Sequence, residues 1–388
     1  MIHLLLAIIY LSFISLGLPD ALLGGAWPTM QQEFGVSVSW AGGISAIICA
    51  GTVISSLLSD RLTRKLGTGA VTAISVGLTA AALLGFSFSS EYWMLCLWAI
   101  PYGLGAGSVD ACLNNYVALH YASRHMSWLH CMWGVGASTG PYILGAVLTG
   151  GLHWSWGYRI IGLMQIVLTA VLLISLPLWK SHGTTATEDP VECKPKSMGQ
   201  LLKIPGAREV MVAFFCYCAL EQTAGLWASS YLVLRYGVRE ETAAFLASLF
   251  FLGITAGRAV SGFLTYKMND TNMIRLGQAI VVLGIGLMAL PLGSGCAMAG
   301  LLLIGLGCAP IYPCVIHSTP EHFGAENSQA LIGIQMASAY LGVLVMPPLF
   351  GILANHIHIT LLIPYLVIIT GTMIYMCERL NRKTALPK

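Results

Sequence analysis

The chain has 388 residues, of which 56% are hydrophobic and 9% charged, with 19 Lys and Arg against 16 Asp and Glu. A soluble domain carries about 25% charged residues and needs them on its surface. The composition therefore predicts an integral membrane protein and excludes a nucleic-acid binder, a secreted disulfide scaffold and a disordered regulator. The net charge of +3 is too small to suggest a polyanionic partner.

A bilayer core takes about 20 apolar residues per helical span. Runs of that kind lie at roughly 2–25, 40–59, 68–88, 92–118, 127–150 and 158–179. They resume at roughly 209–234, 242–264, 274–292, 297–318, 329–354 and 360–378. The first run has no basic n-region or small-residue cleavage site, so it is expected to be a retained span and not a removable signal peptide. Between the two sets lies a polar stretch with Thr184, Thr185, Glu188, Asp189, Pro190, Lys194, Pro195, Lys196 and Lys203. The predicted fold is an all-α membrane protein with twelve transmembrane helices in two pseudo-symmetric six-helix bundles. Residues 1–180 and 208–388 form the bundles, joined by a cytoplasmic linker at 181–207.

Fifteen of the 19 cations fall on one predicted side, among them Arg61, Arg64, Lys65, Arg124, Lys180, Lys194, Lys267, Arg275, Arg382 and Lys388. Arg159, Arg235 and Arg239 fall on the other, and Arg258 lies inside a span. The positive-inside rule then sets both termini and the linker in the cytoplasm, in a multi-pass plasma-membrane protein expected to act as a monomer.

The two halves repeat. Gly51, Ser55, Leu58 and Arg61 correspond in kind to Gly257, Ser261, Leu264 and Lys267, and Gly136, Pro141 and Gly145 to Gly342, Pro347 and Gly351. Gly103 and Gly105 likewise meet Gly305 and Gly307. Parallel repeats of this kind suit an alternating-access transporter, and the abundant glycines let helices approach closely and slide.

Asp20, Asp110 and Glu221 fall within spans. An ionised acid at mid-bilayer costs roughly 2.5–3.5 kcal/mol, and Arg258 alone cannot neutralise three. The others must face water or carry a proton, which makes Asp20 and Asp110 the predicted proton-coupling pair. Counted along the spans, Asp20 falls in the outer half and Asp110 in the inner half. Glu221 is either a structural acid, a proton site or a substrate acceptor, since Gln222, Trp227 and Tyr231 follow it. Asn114, Asn115, Trp133, Gln165, Tyr312 and Gln335 complete a predicted solute-binding set, and His130 and His317, near cytoplasmic ends, are either structural histidines or further candidates for a proton role. Amides and aromatics with few cations suit a neutral, hydroxyl-rich solute. The eleven cysteines show no CxxC pair, and no catalytic constellation or phosphate loop is present. No metal, cofactor or enzymatic activity is expected.

The segment from Ser56 to Lys65 resembles the loop motif Gly-x-x-x-Asp-Arg-x-Gly-Arg-Arg of the major facilitator superfamily. Asp60, Arg61, Arg64 and Lys65 match, while Ser56 and Thr63 replace its two glycines. The resemblance implies a cytoplasmic gating cluster of these four charges, with Arg258 as a further gating residue. Within the superfamily, Gly17 to Pro28 and Gly103 to Tyr116 resemble the fucose:proton symporter family. Asp20 and Asp110 fall on the two acids linked there to proton coupling and substrate binding; Asp replaces Glu at 110, and Asn115 replaces a proline. The expected activity is proton-driven symport of a small neutral solute, a sugar above all. The alternative is a proton-driven exporter that binds lipophilic cations through Trp98, Trp133 and Trp227.

Overall fold

The computed structural model describes residues 2–182 and 196–384. Residues 183–195 of the expected linker, with Thr184, Thr185, Glu188, Asp189, Pro190, Cys193, Lys194 and Pro195, lie outside the described residues, as does Lys388. The helices in chain order are α1 (Ile2–Gly17), α2 (Leu22–Glu33), α3 (Ala41–Leu66), α4 (Thr68–Ser87), α5 (Tyr92–His120), α6 (Ser123–Thr149) and α7 (Ser155–His182). They continue as α8 (Met198–Leu201), α9 (Ala207–Tyr236), α10 (Glu240–Leu264), α11 (Asp270–Ala289), α12 (Ser294–His317), α13 (Thr319–Phe323), α14 (Ala325–His356) and α15 (Leu362–Thr384).

Among the described residues ten helices are long and apolar enough to cross a membrane, with α1 and α2 counted as one stretch, Leu4–Glu33. Helices α5 and α10, of 29 and 25 residues, stand where the fourth and eighth spans were expected. Contacts divide the chain into two compact units. The first is Met1–Tyr116 with Met132–Lys196, and the second is Val117–Cys131 with Ser197–Lys388. The second unit thus includes the end of α5, the turn after it and the start of α6.

The first span departs from the sequence reading. It runs on to Glu33 and is broken between Gly17 and Leu22. Pro19 causes the break, because it has no N–H for the carbonyl four residues earlier and its ring crowds that carbonyl. That acceptor is Ser15 O, and Gln165 Nε2 donates to it across 2.8 Å. Asp20 consequently lies just past the middle of the Leu4–Glu33 stretch, nearer its centre than a span ending at residue 25 would place it.

With no hydrophobic drive between helices inside lipid, close backbone approach supplies the packing. In the first unit a Cβ at Gly136 would come 2.1 Å from Ile14 O, and one at Gly140 would come 1.9 Å from Leu18 O. In the second, Gly277 and Gly307 face each other across α11 and α12, each Cβ position within 2.6 Å of the other's carbonyl. The repeat is visible in this packing. Gly103 meets Ile48 O, and Gly305 meets Phe250 O, with both partners displaced by the same number of positions.

Candidate functional site

In the first unit the helix break presents Asp20. Trp133 Nε1 of α6 donates to its Oδ2 at 2.9 Å, and the Tyr102 hydroxyl of α5 approaches its Oδ1 at 3.4 Å. Asp110 is near enough to act on Asp20 electrostatically. It is buried, and Asn114 Nδ2 donates to its Oδ1 at 2.8 Å and to its backbone carbonyl at 3.0 Å. A small cavity beside Asp20 is lined by Ser12, Ser15, Pro19, Thr79, Tyr102 and Gln165. Ser15 Oγ is buried there and makes no hydrogen bond among the described residues.

These contacts determine what the site can do. Asp20 is held by two neutral donors, and among the described residues it makes no ion pair with Lys or Arg. A carboxylate supported only by neutral groups can take up and release a proton without breaking a salt bridge. Trp133 and Tyr102 add aromatic faces, of the kind that pack on the apolar side of a small polar solute.

The second unit holds the other predicted acid. Glu221 Oε2 lies 3.6 Å from Arg258 Nη2 and accepts a hydrogen bond from the Tyr217 hydroxyl, which also donates to Cys308 O at 3.0 Å. Tyr312 joins this group: its ring centroid is 4.5 Å from that of His130, 4.7 Å from Phe214 and 6.0 Å from the Arg258 guanidinium carbon. Glu221 is therefore ion-paired, and Arg258, expected as a gating residue, is buried as its partner.

Several predicted solute ligands also make contacts within the helix packing. Gln165 accepts from Thr79 Oγ1 at 2.8 Å while donating to Ser15 O. Gln335 is fully buried and exchanges hydrogen bonds with Thr319. Trp227 Nε1 donates to Pro347 O at 3.0 Å, and Tyr231 packs edge-on against Tyr236. Asn115 is buried one residue beyond the Asp110–Asn114 pair, and Gln222 is half-buried beside Glu221. In the loop motif, buried Asp60 pairs with Arg64 at 3.0 Å, while Arg61 and Lys65 are exposed.

Sequence reasoning missed Tyr102, Tyr217 and Asp270. Only Tyr217 carried a signal, since it precedes Glu221 by one helical turn and so lies on its face; Tyr102 meets Asp20 from a different helix. Asp270 falls between the eighth and ninth predicted spans, where nothing in the sequence singled it out. It in fact bonds His317 and Ser123.

A family model described as Major Facilitator Superfamily matches residues 9–347. "Bypass of stop codon protein 6" of Saccharomyces cerevisiae is 23% identical over 280 residues, 66% of this chain and 56% of that one. The "Sodium-dependent glucose transporter 1" of Danio rerio is 23% identical over 418 residues, 97% of this chain and 69% of that one. FucP, the fucose:proton symporter of E. coli, shares the fold: its outward-conformation crystal structure matches with a TM-score of 0.76 at 15% identity, over 96% of this chain and 97% of FucP.

Proposed function

The chain belongs to the major facilitator superfamily, and on that premise we propose that it is a proton-coupled symporter of a small neutral solute, a sugar above all. Membership makes it a multi-pass membrane transport protein and not an enzyme. In the proposed arrangement twelve spans form two six-helix bundles, both termini are cytoplasmic, and the monomer works by alternating access. Sugar-transporting relatives that share the fold support the substrate class.

One observation carries the proton: Asp20 is held at a helix break by Trp133 and Tyr102, both neutral donors. Asp20 takes the proton from outside and, with Asp110, makes the cavity electrically neutral. Solute then binds against Trp133, Asn114 and Asn115 of the first unit. Protonation and solute binding must each strengthen the other by the same factor, which is the thermodynamic content of coupling. Asp60, Arg61, Arg64 and Lys65 serve the cytoplasmic gate.

The test is uptake into proteoliposomes. Asp20→Asn and Asp110→Asn are expected to abolish uptake driven by a pH gradient, with solute counterflow retained in one of them. Unchanged pH-driven uptake in both variants sinks the reading. Lowered accumulation of cationic dyes in cells making the protein favours the exporter instead.

A further inference from the structure

His317, at the end of α12, has an oxygen facing each ring nitrogen. Nδ1 lies 2.5 Å from Asp270 Oδ2, at the start of α11, and Nε2 lies 3.0 Å from the Tyr121 backbone carbonyl. The other oxygen of Asp270 accepts from Ser123 Oγ at 2.5 Å. Tyr121 and Ser123 flank the turn between α5 and α6, in the segment Val117–Cys131 that groups with the second unit.

The proton count follows from this geometry. A carbonyl oxygen can only accept, so Nε2 must carry a hydrogen. A neutral imidazole then has a lone pair on Nδ1, aimed at a carboxylate oxygen, so that contact too requires a proton between the two atoms. The arrangement therefore holds one proton more than a neutral histidine and an ionised aspartate. We propose that His317 and Asp270 form a second proton-binding site, which clasps the Tyr121–Ser123 turn to the ends of α11 and α12 when the proton is bound and releases it when the proton leaves.

The surrounding groups fit that role. The Cys314 thiol of α12 faces Asp270 and Ser123, and Glu321 of α13 is near enough to act on His317 electrostatically. His322 of α13 is kept neutral by burial, and burial holds the Tyr121 phenol above its ordinary range, so neither competes for the proton near neutral pH. Beyond the turn the same segment is seated on α10 and the turn that follows it: Trp128 Nε1 donates to Ala259 O at 3.3 Å, and Arg124 stacks on Tyr266 at 5.0 Å. His130 of the same segment also packs on Tyr312, with ring centroids 4.5 Å apart, so substitution of His317 is what isolates the clasp. It is separate from Asp20 and does not depend on the symport reading.

The experiment is hydrogen exchange of the purified full-length protein from about pH 5.5 to about pH 8.5, corrected for intrinsic chemical rates, read on peptides covering residues 117–131. With one linked proton, protection of these peptides should fall by up to about tenfold per pH unit as pH rises. His317→Gln should flatten that dependence, while Asp20→Asn should leave it as in the wild type. A flat wild-type profile overturns the proposal, and so does a His317→Gln profile as steep as the wild type. Should His317→Gln not fold, Asp270→Asn must flatten the profile equally, and a retained slope there overturns it too.

Discussion

Trp133 donates its indole N–H to Asp20 across 2.9 Å, and α1, which ends three residues before Asp20, touches α6 so closely that a Cβ at Gly17 would lie 2.2 Å from the Trp133 carbonyl. The acid and its donor are therefore set by the same glycine-mediated contact. Trp133→Phe keeps the ring and deletes the donor. A hydrogen bond to a charged group contributes about 1.5–3 kcal/mol, so pH-driven uptake is expected to fall by about tenfold or more with the melting temperature little changed. Wild-type initial rates in proteoliposomes would show that the contact has no part in transport.

Gly140 and Gly145 lie on the same helix in opposite situations. A Cβ at Gly140 would stand 1.9 Å from Leu18 O, while at Gly145 nothing lies within 4 Å. Gly140→Ala must push α6 away from the first span and is expected to destabilise by about 1–3 kcal/mol or more. Gly145→Ala is expected to be neutral. Thermal unfolding in detergent compares the two directly, and equal melting temperatures would contradict the packing argument.

Glu221→Gln leaves Arg258, 4% exposed, without its carboxylate. Breaking one side of a buried pair costs about 3–5 kcal/mol, whereas removing both sides costs less. Glu221→Gln combined with Arg258→Gln should thus be more stable than Glu221→Gln alone. A double-mutant cycle on unfolding midpoints measures the coupling, and strict additivity of the two losses would argue against it.

His322 gives the protein an acid-sensitive stability term. Burial lowers its proton affinity, with Glu321 and Asp270 pulling the other way. Since the folded value lies below the unfolded one, the unfolded chain binds more proton, and stability declines as pH drops through about 6.5, the ordinary histidine value. His322→Phe should narrow the difference in melting temperature between about pH 7.5 and about pH 5. An undiminished difference would assign the acid sensitivity elsewhere.

Hydropathy and charge placement are properties of the linear chain, so the membrane class, the long helices and the scarcity of buried charge were legible from composition and order alone. The sequence also located Asp20, because an acid in a long apolar run has few explanations. It could not indicate the break at Pro19 as the feature that positions that acid, nor that the first span continues to Glu33.

Partner choice belongs to the tertiary structure. Gln165 and Gln335 looked like solute ligands, yet the fold brings Gln165 to Ser15 and Thr79 and Gln335 to Thr319. Asp270, which nothing in the sequence singled out, meets His317 and Ser123. The reason is physical: a buried polar group must be hydrogen-bonded, and its partner can lie more than a hundred positions away. The linear order thus determined which residues need a partner inside the membrane, and helix packing decided which of them are paired by the protein and which are left to meet a proton or a solute.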